Sequence, residues 1–279
     1  MANNVDATAP VTSIPPGNSG LSADLKSTPH AVTVVSGHID ILSVKKAVGI
    51  DHTDNRVIRI IVLRKLDPIT TLSDKEFLLA WWEVVKCHRA LWKRGVHHRN
   101  VNPSNIMGYS FGGRFISVLN DFDLSSIKQD HPRGFERTGT VPFMSLDLLT
   151  PEATADEVEH VYRHDVESLI WVLIWVSLRY EDGKLLSKDR PLDEWLMSNA
   201  VGCAKKKVCF MFKGIGSKNL RTPISHSVSW EVAKKCLAMV YKHGGPLRPA
   251  STNDEEVFQT WLQYHVPKDV IQANLLSGQ

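Results

Sequence analysis

The sequence predicts an α+β fold, mostly helical, with a short β hairpin near its middle. Three observations carry that reading. A capped amphipathic helix begins at Ser73, two β-rich runs flank Phe111-Gly112-Gly113-Arg114, and helical stretches then fill most of the chain from residue 164. A length of 279 residues suffices for one substantial core.

The elements follow in order. Residues 1–30 are rich in Ser, Pro, Ala, Asn and Thr without apolar clustering, which reads as a disordered tail. Ala31–Val35 and Ile39–Val44 are β-branched runs, and Val57–Leu63 reads as a strand closed by a turn at Asp67-Pro68. Ser73-Asp74-Lys75-Glu76 fits a capping box. Phe77, Leu78, Trp81, Val84, Val85, His88 and Trp92 then recur at helical spacing up to Gly95, a natural helix terminator. Ile106–Ser110 and Phe115–Asn120 read as a hairpin, and the stretch from Asp123 to Leu149 as irregular. Helices are expected at roughly 164–179, 193–212, 228–242 and 253–276.

Composition narrows the function. With 43% hydrophobic and 23% charged residues, the chain looks like an ordinary globular protein. A net charge of +3 argues against a nucleic-acid partner and against a membrane surface. The apolar run Ser168–Leu178 is too short to span a bilayer and reads as a buried helix. Cys87, Cys203, Cys209 and Cys236 form no Cys-x-x-Cys pair and have no zinc spacing, so they read as reduced thiols. No signal peptide is evident at the N-terminus. An intracellular protein, cytoplasmic or nuclear, is expected. His52, His97 and His131 read as solvated loop or satisfied core residues.

The chemistry-bearing motif is His97-His98-Arg99-Asn100-Val101-Asn102-Pro103-Ser104-Asn105, directly after the long helix. Asp121-Phe122-Asp123 follows beyond the hairpin, 16 residues after Asn105. Helix, loop, hairpin, acidic triplet is the order that phosphoryl transfer needs. A loop Asp orients the hydroxyl nucleophile, an Asn holds Mg²⁺, and the hairpin returns the chain so that a second Asp reaches the same metal. Three further stretches belong with these: Thr138–Ser145 (TGTVPFMS), His164–Ser168 (HDVES) and Lys205–Phe210 (KKKVCF).

Together, over about 56–279, these motifs resemble the fungal-type protein kinase family, whose loop commonly reads H-R-D-I-S-x-x-N and whose triplet reads D-F-D. The resemblance implies a protein kinase-like fold. Residues 73–279 would be the mainly helical C-lobe, with 31–72 a remnant of the N-lobe and hinge. It also implies Mg²⁺ and ATP. Carried over residue by residue, His98 would stack with Phe122, and Arg99 would brace the activation segment. Asn105 and Asp121 would be Mg²⁺ ligands, or polar residues inherited without use. Thr140 would lie in the substrate-receiving loop. Asp147 would close the activation segment, paired with a base in the late helices. Asp165 would accept backbone N–H bonds from the catalytic loop.

Two departures stand out. The catalytic Asp is replaced by Asn100, whose amide cannot take a proton; loss of a general base costs roughly 10²–10⁴ in rate. Asn102 stands where many Ser/Thr kinases place a Lys. Residues 1–72 contain no Gly-rich phosphate loop, Lys45 only vaguely resembles the phosphate-binding Lys, and the stretch from Lys45 to Val57 holds no Glu. The small lobe reads as largely truncated, and ATP binding as doubtful. The expected function is a catalytically impaired, pseudokinase-like binding or regulatory module with an unknown protein partner. The alternatives are an active Ser/Thr phosphotransferase acting on a protein substrate and a truncated or degenerate copy.

Overall fold

The computed structural model describes residues 65–127, 139–155, 158–218 and 220–243, with isolated residues between 260 and 269. The tail, the three N-terminal β-rich runs, Lys45, His52, His131 and nearly all of the 253–276 stretch lie outside the described residues.

The first described strand, β1 (Asp67–Pro68), corrects the turn expected at this dipeptide. It pairs antiparallel with the hairpin, Asp67 opposite Gly108, at a sheet edge where a proline's missing N–H does no harm. Helix α1 (Asp74–Lys93) has Ser73 at its N-cap, but the Ser73 side chain makes no capping bond. Asp74 instead adopts φ +35, and its Oδ1 accepts from Val228 and Ser229 N at 3.1 and 3.3 Å. At the far end Gly95 takes φ +79, and its N–H reaches Trp92 O. The buried face of α1 (Phe77, Leu78, Trp81, Val84, Val85, His88) follows the predicted stripe.

Strand β2 (Val96–His97) leads into the motif loop. Strands β3 (Ile106–Phe111) and β4 (Arg114–Leu119) pair through a two-residue turn. Gly112 and Gly113 both have positive φ, +57 and +74, which matches the right-handed twist of the flanking strands. A short strand that periodicity could not show, β5 (Ser126–Ile127), pairs with β2, Val96 opposite Ile127.

After two 3₁₀ turns and the short α2 (Pro151–Thr154), α3 (Tyr162–Arg179) runs through the core. Every one of its residues except Arg163 is buried, as the all-round apolar run Leu169–Val176 requires. Trp81 Nε1 donates to Leu169 O at 2.8 Å and ties α1 to it. Strands β6 (Tyr180–Glu181) and β7 (Lys184–Leu185) form a small hairpin. The predicted 193–212 helix is two: α4 (Asp193–Leu196) and α5 (Ala200–Cys209), the second started by Asn199, whose side chain accepts from Gly202 N. A π turn (Phe210–Gly214) follows, and α6 (Ser227–His243) packs on α3 and α1. No helix among the described residues is long and apolar enough to cross a membrane.

Candidate functional site

The motif loop is anchored at its start by Trp92 and His97, whose rings stack with centroids 3.7 Å apart. His98 is buried, and its ring meets Phe122 edge-on at 4.8 Å, so the expected pair is in contact. Its Nδ1 accepts from Asn100 N at 3.3 Å, which leaves Nε2–H to donate to Asn120 O at 2.9 Å. Both bonds need the neutral ring, and burial pushes the His98 pKa below its ordinary 6.5. Arg99 and Asp121 both hold left-handed backbones, φ +67 and +61, the kind of strain that persists only where the surroundings over-determine it.

Asn100 is locked. Asn102 Oδ1 accepts from Ser104 N (2.9 Å) and Asn105 N (3.2 Å), capping the 3₁₀ turn Pro103–Asn105. That identifies Asn102 Nδ2 as the donor facing the other way, to Asn100 Oδ1 at 3.2 Å and to Thr140 Oγ1 at 3.2 Å. The Thr140 hydroxyl then donates to the same Asn100 Oδ1 at 3.0 Å. An amide oxygen has two lone pairs, and here both are engaged. Asn105 Nδ2 donates to Asn100 O at 2.9 Å. Gly139 makes the approach of Thr140 possible: it has φ +126, and a Cβ there would stand 3.1 Å from Arg99 O.

Beneath the loop, Asp165 is fully buried and accepts from three sides. Arg99 N lies 3.3 Å from Oδ2, His88 Nε2 2.8 Å from Oδ2, and His160 Nε2 2.8 Å from Oδ1. Burial alone would raise this carboxyl, but His160 and His88 outweigh it and hold the pKa well below the usual range. The segment after Thr140 is clamped from the same helix. Glu167 Oε1 accepts from Leu146 N and Trp171 Nε1, both at 2.9 Å. Lys207 donates to Met144 O, with its ammonium 4.5 Å from the Trp171 ring; burial pushes it down to about 8.

Among the described residues, Asp147 meets bases at the start of α3 in place of the expected base in the late helices, most of the last of which lies outside the described residues. Its Oδ2 meets Arg163 at 2.7 Å and His164 at 3.3 Å, at the start of α3. Burial nevertheless pushes Asp147 up to about 6 against the pull of Arg163, and its Oδ1 is buried without a partner among the described residues.

The structure thus joins Asn100, Thr140 and Asn105 directly, links Arg99 to Asp165 and pairs His98 with Phe122; it seats Asp147 apart from them. Sequence reasoning missed the roles of Asn102, His88, His160, Glu167 and Lys207. Of these, Asn102, Glu167 and Lys207 lay in stretches already singled out. His88 showed only as part of a helical stripe, and His160, ahead of α3, gave no signal at all.

For Mg²⁺, the donors on offer suit a hard cation. With its nitrogen spent on Asn100 O, Asn105 presents its oxygen, and Asp121 is half-exposed. Among the described residues no group of three or more His, Cys, Asp or Glu could hold an ion. Asn105 and Asp121 would each offer Mg²⁺ an oxygen, and a nucleotide's phosphates would supply others.

A search of the curated proteins finds no match for this chain. The family described as fungal protein kinase matches residues 5–177. That span takes in the 5–55 stretch, which the motif resemblance left out, and stops within α3, before the Lys205–Phe210 motif. It covers more than half of the 279 residues, the motif loop and the acidic triplet included, and the chain belongs to the fungal protein kinase family.

Proposed function

We propose that this chain is a catalytically impaired kinase-family module, protein kinase-like in fold, that serves by binding rather than by phosphoryl transfer. Lys65 onward would supply the hinge and large lobe. One observation carries the reading: the side chain at the general-base position is an amide whose only acceptor oxygen is already taken by Asn102 and Thr140. A substrate hydroxyl could reach it only by displacing one of them, and its proton would still have nowhere to go. Around it, Asp165 would hold the loop through Arg99 N, His98 and Phe122 would fix the triplet, and Asp147 would anchor the segment after Thr140. Arg99 would brace the stretch before Gly139.

A second reading, an active Ser/Thr phosphotransferase, draws support from the family match starting at residue 5 and from the oxygens of Asn105 and Asp121. Mg·ATP would supply the phosphoryl group and its charge neutralisation; Asn105 and Asp121 would orient it through the metal.

Thermal shift with millimolar Mg·ATP and phosphate incorporation into a generic basic protein decide between them. The impaired reading expects no shift, since stabilisation follows RT ln(1 + [L]/Kd), and equal background for wild type and Asn100→Asp. A shift of several degrees lost in Asp121→Ala, with wild-type incorporation above background that the same variant loses, would establish the phosphotransferase instead; a rise of roughly 10²–10⁴ in Asn100→Asp alone would leave the amide as the single lesion.

A further inference from the structure

The π turn after α5 divides its two phenylalanines. Phe210 turns inward against Trp195, with centroids 5.7 Å apart, while Phe212 is left 83% exposed. Such widened turns recur at functional sites. Phe212 stands at the rim of a cleft of about 600 Å³ between the α5 end and α6, lined by Leu146, Val208, Met211, Ile215 and Leu237. Its lining is almost wholly apolar, with one charge, Lys234.

The two segments that flank the cleft are rich in lysine. Between Ala200 and Gly214, and along α6 to Ala238, stand Lys205, Lys206, Lys207, Lys213, Lys234 and Lys235 against the single carboxylate Glu231. Lys207 is buried, and Lys206 is spent on Glu194 O and Ser198 Oγ. Glu231 is already paired with Lys234 at 2.6 Å. Lys205, Lys213 and Lys235 stay exposed.

We propose that this groove docks an acidic segment of a partner protein, with one large apolar side chain of that segment filling the cleft beside Phe212. An apolar anchor within a basic rim matches an amphipathic acidic helix laid in a groove. A second copy meeting groove to groove fits poorly, because its own basic rim would face the same charges. The inference deepens the binding-module reading but stands on residues remote in sequence from Asn100, so the nucleotide assays and the docking assay fail or succeed separately.

The probe is a fluorescein-labelled, acetylated peptide carrying Phe and Leu one helical turn apart among glutamates, followed by anisotropy against the full chain. A control peptide has lysine for every glutamate. Expected are saturable binding of the acidic peptide that weakens with salt, and none of the lysine peptide. Phe212→Ser and Lys235→Glu should each weaken binding roughly tenfold or more, and Met197→Ser, exposed but outside the cleft, should not. All three sites are exposed, and melting curves check that each variant folds. Absence of binding, equal binding of both peptides, or indifference to Phe212→Ser overturns the proposal. So does a Phe212-dependent dimer in sedimentation, which would make a second copy the occupant.

Discussion

His88 Nε2 and Asp165 Oδ2 lie 2.8 Å apart in the core, joining residues 77 positions apart, and neither side chain sees solvent. His88 Nδ1 is buried with no partner among the described residues, so the bond to Asp165 is the ring's one polar contact there. Asp165→Ala strands His88, His160 and Arg99 N at once. The expected loss is about 1–3 kcal/mol for each buried group left unpaired, enough to unfold much of the protein at 37 °C. Urea denaturation measures it, and a midpoint equal to wild type would contradict the hub assigned to Asp165.

Three buried groups give stability opposing slopes between pH 7 and pH 5. His98 and His226 are both pushed below 6.5 by burial, so the unfolded chain takes up protons first and gains as pH falls below 6.5. Asp147 opposes them: with its pKa raised to about 6 from 3.8, the folded chain binds the proton first, and stability rises through that group as pH falls through 6. Asp165, held low, adds stability that is present above its unfolded value of 3.8 and is lost as pH falls from there through its lower folded value, outside this range. The histidines by themselves give a fall in stability towards pH 5, which Asp147 offsets. Asp147→Asn should steepen that fall, which melting curves across the range would reveal.

His226 is fully buried, with Phe77 edge-on at 5.3 Å, and neither ring nitrogen has a partner among the described residues. Removing an unsatisfied buried polar group helps, so His226→Leu should raise stability by about 1 kcal/mol at pH 7 and by more at pH 5.5. A lower midpoint at both pH values would mean that the ring's packing outweighs its desolvation.

Asp74 caps α6 from another element. Asp74→Ala removes the acceptor from Val228 and Ser229 N and puts alanine at φ +35, for an expected cost of about 1–2 kcal/mol. Asp74→Asn keeps both the oxygen and a side chain tolerant of that backbone, and should cost much less. Equal losses in the two variants would remove the capping role.

Asn102→Ala should cost about 1–2 kcal/mol, because Ser104 and Asn105 N lose their cap, and Thr140→Val should cost about 1 kcal/mol. Because both act on Asn100 Oδ1, the double variant should show a coupling of at least about 0.5 kcal/mol. Strict additivity would separate the two contacts.

Local rules made much of this fold legible. The hairpin announced itself through Gly112-Gly113, and α1 through its stripe and Gly95. The capping box at Ser73 did not form because Asp74 serves a helix more than 150 residues away, a contact that no local window contains. Ladders of two residues, such as β2 with β5, carry no periodicity at all. The α4–α5 break did have a signal, Asn199 placed to cap Gly202 N, within a stretch that read as one helix. In the site, residue types were legible from the motif order, while the saturation of Asn100 Oδ1 depended on how Asn102 was turned by its neighbours' backbone.

The burial of α3 on every side has a consequence for synthesis. A ribosome releases this helix before α6, which begins nearly fifty residues later and covers one of its flanks. At about 5–20 residues per second, the run from Leu169 to Leu178 waits roughly 2.5–10 s without that cover. For that interval the nascent chain presents its most apolar surface to the cell, and a chaperone that holds unfolded hydrophobic segments is the natural companion of its translation.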